Sequence, residues 1–347
     1  LDAIIEVRSA EECHSFACAP GERLLHAGLR GGVSLPYGCA TGTCGDCRAK
    51  VVSGNVESLW PDAPGARALR DPAEILLCQS HARGACVIEA KPDAHTHARA
   101  LPQRYEGMLA RVVPNDDGLT WVELELDRPI RFLAGQFVLV AVPGVEGYRA
   151  YSPAHDGQEV SRLSLVVRNK AEGALSPLLC SPDSVGSHVQ VFGPLGAAHV
   201  RPDEDGDFAV VVGGSGAAVA LSILDWAVAS GHLEWHRLDL VCGLRTSRCP
   251  AVIDRLAAAA ARFPESLRIV VALSDEDSAD VALPGAGAHL QVESGMAHEV
   301  AAHCLEGLWK DRAVFVAGPP PMVRGTLRML ITKARLNPTG IRYDSFS

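Results

Sequence analysis

Pro36-Tyr37-Gly38-Cys39-Ala40-Thr41-Gly42-Thr43-Cys44-Gly45-Asp46-Cys47 sets three cysteines in the spacing C-x4-C-x2-C, and Cys78 follows within Leu76-Leu77-Cys78-Gln79. Four thiols in that order match the spacing of a plant-type 2Fe-2S cluster. The small residues between them let the backbone curl until free N–H groups point at sulfur and tune the potential. Cys44-x-x-Cys47 alone is compatible with half a zinc site, but zinc ribbons favour two short pairs, whereas here a triplet has one distant partner. A thioredoxin-like pair fits less well, because Arg48 to Val52 after the motif reads as a strand rather than a helix. Cys13, Cys18 and Cys86 have no ligand spacing and read as structural thiols.

The chain around this loop has 347 residues and eleven cysteines. At about 150 residues per domain, that length predicts two or three units. The odd cysteine count, with no charged-then-apolar leader at Leu1 to Ala10, predicts a reducing compartment, the cytoplasm, rather than a secreted disulfide framework. A formal net charge of −9 argues against a nucleic-acid partner, which needs a basic stripe. Ala217 to Ala229, the longest apolar stretch, is broken by Asp225 and falls short of the ~18 residues of a membrane span.

Residues 93–104 lack apolar periodicity and read as a linker. His95-x-His97 inside it is compatible with metal binding but reads as a solvated pair. From Tyr105 to His199, period-two alternation recurs at Trp121–Leu126, Leu163–Val166 and His188–Val191, separated by turns such as Asn115-Asp116-Asp117-Gly118. This predicts a small antiparallel barrel. The pattern then changes. Ala209 to Val212 reads as a buried strand ending in Gly213-Gly214-Ser215-Gly216, and an apolar helix, Ala217–Ala229, is closed by Ser230-Gly231. Arg237–Cys242, Val252–Arg262, Leu267–Leu273, Ala313–Ala317 and a last helix over Met322–Leu336 continue the alternation and predict a doubly wound parallel sheet. The glycine turn would offer N–H groups and a helix N-terminus to a pyrophosphate, although alone it is a weak signal.

Further motifs occur in a set order. Arg149-Ala150-Tyr151-Ser152 follows Ala134-Gly135-Gln136-Phe137, then come Gly173-Ala174-Leu175-Ser176, the glycine turn, and Ala317-Gly318-Pro319-Pro320-Pro321-Met322. This series closely resembles the ferredoxin-NADP reductase superfamily. With the four-cysteine unit in front, the chain resembles the reductase components of bacterial multicomponent oxygenases. Trp60-Pro61-Asp62-Ala63-Pro64-Gly65 and the ending Ile341-Arg342-Tyr343-Asp344-Ser345-Phe346 are similar to those of reductases serving aromatic-ring dioxygenases and toluene-type monooxygenases.

The resemblance implies a multidomain fold: an α+β ferredoxin (β-grasp) domain at 1–92, an antiparallel β-barrel FAD domain at 105–205, and an α/β doubly wound parallel-sheet NAD domain at 206–347. It implies an oxidoreductase that passes electrons from NADH through FAD and a 2Fe-2S cluster to a terminal oxygenase or an intermediary ferredoxin. An aromatic-ring-hydroxylating dioxygenase is the first expectation; a di-iron monooxygenase or a deoxysugar dehydratase is the alternative acceptor. A non-catalytic, zinc-containing binding protein is the alternative of a different class.

Residue by residue, the resemblance implies Cys39, Cys44, Cys47 and Cys78 as metal ligands. The Arg149 guanidinium would fork onto the flavin pyrophosphate. Tyr151 would pack on the isoalloxazine and the Ser152 hydroxyl would bond its N5, making these two the candidate catalytic residues. Val166 and Arg168 join the cofactor-binding set. Gly173 and Ser176 would bring a helix N-terminus to the phosphates, which favours FAD over FMN. Gly213, Gly214 and Gly216 would admit the dinucleotide, Gly318 and Pro319 would leave room for nicotinamide, and Phe346, with Tyr343 as alternative, would be the aromatic near the flavin. Arg245-Thr246-Ser247-Arg248 follows the second strand, where a 2′-phosphate would lie; the reading is NADH, with NADPH left open. Two positions depart from the family pattern: Ala218-Val219 stands where Ala-Pro is common, and Ala317 where cysteine often precedes Gly318.

Overall fold

The computed structural model describes residues 2–9, 12–91, 100–116, 118–281, 283 and 290–346. Most of the stretch read as a linker, 93–99, including His95-x-His97, lies outside the described residues.

The first unit runs β1 (Ala3–Arg8), β2 (Cys13–Cys18), α1 (Leu24–Arg30), β3 (Arg48–Ser53), β4 (Val56–Ser58), β5 (Glu74–Leu76), β6 (Ser80–Ala82) and β7 (Cys86–Glu89). Its five-stranded sheet has the order β2-β1-β7-β3-β5, with β1 and β7 parallel and the other neighbours antiparallel. Every residue of α1 except Arg30 is buried. A helix covered all round needs partners on two sides. One is this sheet, through Ile5 and Ile88; the other is the second unit, where the His26 ring stacks on Phe192 at a centroid distance of 4.1 Å.

The second unit contains β8 (Gln103–Pro114), β9 (Leu119–Phe132), β10 (Phe137–Ala141), β11 (Arg149–Tyr151), β12 (Gly157–Arg168), the single turn α2 (Ser176–Leu179) and β13 (His188–Leu195). Its strands pair antiparallel in the order β11-β10-β13-β8-β9-β12. A bridge between Pro153, just beyond β11, and Leu165 of β12 joins the two edges and closes the barrel. Closure removes the exposed edges of an open sheet, and Val122, Leu124, Leu163 and Leu165 fill the interior.

The third unit contains β14 (Phe208–Gly213), α3 (Ala217–Ala229), β15 (Leu238–Leu244), α4 (Pro250–Arg262), β16 (Leu267–Leu273), β17 (Leu290–Ser294), α5 (Ala297–Cys304), β18 (Ala313–Gly318), α6 (Pro320–Thr332) and β19 (Ile341–Ser345). All six strands are parallel, in the order β17-β16-β15-β14-β18-β19. Val210 and Val212 point into the core shared with α3 and α4, whereas Ala209 and Val211 point to α5 and α6. Both faces are therefore covered, which is why these strands read as continuous apolar runs. The last helix differs from the expected Met322–Leu336. It starts at Pro320, since prolines in a first turn need no N–H, and it stops at Thr332. The N–H groups of Lys333 and Ala334 both turn back to Met329 O, and Arg335 adopts φ +55°. The apolar periodicity continues to Leu336 but the backbone does not.

β19 ties the third unit to the second. Asp344 is buried and accepts the N–H groups of Ala197 and Ala198 at 3.2 and 3.0 Å. Burial pushes its carboxyl up to about 6, above the ~3.9 of an unfolded aspartate. The stability linked to its proton is complete below about pH 4 and is lost as pH rises through 6. Asp344→Asn cannot ionise. Its stability relative to the native chain should therefore rise by an amount of order 3 kcal/mol between pH 4 and pH 7.5 in denaturant melts; a difference independent of pH would contradict this.

Candidate functional site

The cysteine loop turns back on itself through left-handed backbone at Gly42, φ +88°, and Gly45, φ +87°. A β-carbon on Gly45 would lie 2.7 Å from Ala68 Cβ and 3.0 Å from Gly65 O, so the turn also needs glycine for space. Pro64–Ala68 forms a short 3-10 turn, and the Gly65 N–H donates to Gly42 O at 2.8 Å. The Trp60–Gly65 segment thus clamps the loop from outside.

The curl aims five backbone N–H groups at sulfur. Those of Thr41, Thr43 and Cys44 approach Cys39 Sγ at 3.4, 3.4 and 3.3 Å. Those of Cys39 and Asp46 approach Cys44 Sγ at 3.4 and 3.5 Å. Hydrogen bonds from the Cys44 thiol, Thr41 and Thr43 hold the Cys39 thiol well below its ordinary range, against the effect of its burial. Cys47 Sγ and Cys78 Sγ stand 3.2 Å apart in the buried interior. Clustered thiols, one of them favoured as thiolate and surrounded by N–H donors, fit an iron–sulfur cluster. Cys44 is exposed and Cys39 is buried, so the group held here would have one edge toward solvent and one toward the protein.

Cys39 and Thr41 form part of the wall of a cavity of about 760 Å³ that all three units share. Arg149 and Tyr151 of β11, Arg168 at the end of β12, Gly173, Ser176, Gly213, Gly214, Arg245, Pro319 and Phe346 line it as well. Burial raises the Tyr151 hydroxyl, so its ring is a neutral apolar surface at the cavity. The Ser152 hydroxyl is buried and has no hydrogen-bond partner among the described residues. An orphaned buried hydroxyl carries a desolvation penalty that a bound acceptor or donor relieves; Ser152 does not itself line the cavity but directly follows Arg149, Ala150 and Tyr151, which do, and that placement fits a flavin against β11. Gly173 fits the same group: a β-carbon there would meet Ser176 Oγ at 2.8 Å.

Val166, Gly216, Gly318 and Tyr343 are not part of the cavity wall, and other expected residues that do line it are engaged within the chain. Ser176 opens only a one-turn helix, and its hydroxyl is engaged by the Lys170 backbone, accepting from N at 3.1 Å and donating to O at 3.3 Å. Val166 is packed in the core behind the cavity. Gly216 and Gly318 face each other: a β-carbon on Gly216 would sit 2.3 Å from Ala317 O and 3.0 Å from Gly318 Cα, so these glycines let the turn after β14 cross β18. Phe346 is fixed by its N–H to Gly318 O at 2.9 Å and by an edge-on contact with Phe137. Tyr343 is half-exposed and lines a separate small cavity beside Tyr37 and Asp46. Sequence reading did not single out Thr41, Ser274 and Met296 as cavity residues. Their residue types carry no signal; only the convergence of three units brings them in.

A thiol loop, a barrel and a dinucleotide-type sheet sharing one cavity define a nicotinamide-dependent flavin and iron–sulfur oxidoreductase. Family comparison agrees: the 2Fe-2S iron-sulfur cluster binding domain matches residues 8–83, and the oxidoreductase FAD-binding domain matches 115–200. The ferredoxin–NAD(+) reductase component of the alkene monooxygenase system of Xanthobacter autotrophicus is 32% identical over 96% of this chain and 98% of that protein. The reductase component of phenol 2-monooxygenase from a Pseudomonas strain is 30% identical over 90% of this chain and 86% of its own length. The solved ferredoxin reductase in carbazole 1,9a-dioxygenase superposes with a TM-score of 0.82 at 27% identity, over 100% of this chain and 99% of that one. The chain belongs to the family of reductase components of multicomponent oxygenases, which join a 2Fe-2S ferredoxin domain to an FAD- and NAD-binding module.

The N–H groups around Cys39 and Cys44 stabilise added negative charge, so they favour reduction. A redox titration of the loaded protein should give a cluster potential above the ~−400 mV of plant-type ferredoxins; a value at or below that figure would contradict the assignment.

Proposed function

We propose that this chain is the cytoplasmic, NADH-oxidising reductase of an oxygenase system, divided into a ferredoxin domain at 1–92, a linker at 93–104, an FAD domain at 105–205 and an NAD domain at 206–347. One observation carries the reading: a single cavity extends from the cluster loop at Cys39 to Arg245 and Ser274 beyond the glycine turn, with Tyr151 and Arg149 in its wall. Among the described residues no helix is long and apolar enough to cross a membrane.

The bound groups supply the redox chemistry, hydride acceptance by the flavin and one-electron relay by the cluster, and the protein supplies position and electrostatics. Arg149, whose charge is independent of pH, neutralises the flavin pyrophosphate. Tyr151 covers the ring and excludes water from it. With flavin bound, the unpartnered Ser152 hydroxyl would be the group available to N5. Phe346, held to Gly318 O through its N–H, and Pro319 both line the cavity and would border the nicotinamide. Cys39, Cys44, Cys47 and Cys78 hold the cluster, and the exposed edge at Cys44 is the exit toward a partner.

For the acceptor, an aromatic-ring dioxygenase or its intermediary ferredoxin remains the first reading. The alkene and phenol monooxygenase relatives favour a monooxygenase as the second. Freshly purified protein should show flavin and iron–sulfur absorption that bleaches with NADH, and reoxidation by a panel of purified oxygenase components should single out one class. A colourless, zinc-containing protein would sink the reading. Ser152→Ala should retain flavin but slow flavin reduction by NADH roughly 10²-fold, the scale of losing one well-placed donor. An unchanged rate would remove Ser152 from the mechanism.

A further inference from the structure

Cys304 has no part in the chemistry above, yet its thiol sits among groups that bind metals. It closes α5 directly after His303, and both side chains reach Glu293 of β17, the edge strand of the third sheet. His303 Nε2 stands 2.5 Å from Glu293 Oε2, and the Cys304 thiol donates to Glu293 Oε1 at 2.9 Å. One imidazole nitrogen, one sulfur and one carboxylate oxygen thus lie within 4.8 Å of one another. The other ring nitrogen of His303, Nδ1, bonds Glu299 O at 3.0 Å one helical turn back. That bond fixes the ring and, in the neutral imidazole, leaves the Nε2 lone pair aimed at the cluster; a backbone carbonyl commonly plays this part behind a metal-binding histidine. None of the three residues lines the large cavity, although Met296 and Ala297 between them do.

We propose that Glu293, His303 and Cys304 form a reversible zinc site, separate from the redox centres, that cross-links β17 to α5. The donor set selects the ion: thiolate and imidazole suit zinc, whereas magnesium and calcium take oxygen ligands. Three protein ligands with a fourth position left to water is an arrangement zinc accepts. His303 is exposed, and Glu293 and Cys304 are partly so, so the ion can enter from solvent. Tetrahedral bonds of about 2.0–2.3 Å set ligand atoms roughly 3.3–3.8 Å apart. The two hydrogen-bonded contacts would therefore widen by about 1 Å or less, which side-chain rotation supplies. In the metal-free protein, protons hold the cluster together. Burial and the Glu293 carboxylate push the Cys304 thiol up to about 11, against the opposing charge of Arg268 from β16, and Glu293 also raises His303. Zinc displaces the thiol proton and, in molecules whose His303 is charged, the Nε2 proton as well. Between one and two protons leave per ion, and thiolate and carboxylate together balance the dication.

The test uses the holoenzyme, so that Cys39, Cys44, Cys47 and Cys78 are engaged, with zinc chloride as the probe. Calorimetric titration in two buffers of different protonation enthalpy gives stoichiometry, affinity and the proton count. X-ray absorption at the zinc edge, which iron does not obscure, gives the ligand atoms. One equivalent should bind at pH 7 with release of one to two protons, and the spectrum should show a single sulfur at about 2.3 Å among nitrogen and oxygen scatterers. Cys304→Ser and His303→Ala should each weaken that step at least about 10-fold, the scale on which loss of even an outer partner acts. Cys304→Ser should also remove the sulfur scatterer. Cys13→Ser, which deletes an exposed thiol elsewhere, should change neither readout. Retained flavin and iron–sulfur absorption shows that each variant is folded. A zinc spectrum without sulfur in the native protein, or affinities of Cys304→Ser and His303→Ala within about twofold of native, would overturn the proposal.

Discussion

The arrangement depends on a hydrophobic core that two domains share. Phe137, Leu139, Phe192 and Leu195 of the barrel are packed into the same cluster of buried side chains as Leu24, Leu25, Leu77 and Cys78 of the ferredoxin unit. Each fully buried residue of this size contributes roughly 1.5–3 kcal/mol. The ion pair across the same junction, Arg104 with Glu22 at 3.1 Å, involves a half-exposed arginine and contributes less. Apolar burial, rather than charge, is therefore what fixes the cluster loop against the flavin cavity. His26 shows how complete the exclusion of water is: burial holds it well below the usual imidazole range, so it serves the junction as a neutral ring stacked on Phe192.

Function needs that rigidity. Nicotinamide delivers electrons in a pair and an iron–sulfur cluster accepts them singly, so the two sites must lie close and stay in register. Cys39 meets both demands, since its sulfur collects three backbone N–H groups while its side chain forms part of the wall of the shared cavity. The third domain is held by different means. Its core runs on into barrel residues such as Leu119 and Ala134, Ser222 Oγ bonds His155 O and the Gly135 N–H, and Asp344 binds the backbone at Ala197 and Ala198. These contacts bring Phe346 to the cavity at the end of β19.

Much of this was legible in the chain because it is encoded locally. The cysteine spacing, the period-two runs of the barrel and the Gly213–Gly216 turn followed by Ala217–Ala229 are each short-range patterns, and each forms the element it predicts. Long-range closure was not legible. Nothing in Pro64-Gly65 announces that it will clamp Gly42, and nothing in Asp275-Glu276 announces that these carboxylates will bond Arg245 and the Ser247 N–H about thirty residues earlier. Gly216 and Gly318 read as coenzyme glycines, yet their lack of a side chain is required by the crossing of two backbones. The end of the last helix was misread for a related reason: Leu330 and Leu336 keep the apolar period, but the left-handed turn at Arg335 interrupts the hydrogen bonding.

The cavity that joins Cys39 to Arg245 puts the complete path from coenzyme to cluster in one chain. Anaerobic mixing with NADH, followed by rapid freezing and electron paramagnetic resonance, tests it directly. The reduced-cluster signal should develop in the isolated protein, with no acceptor present, as the flavin absorbance recovers from its initial loss. A flavin that bleaches while the cluster stays oxidised until another protein is added would contradict it.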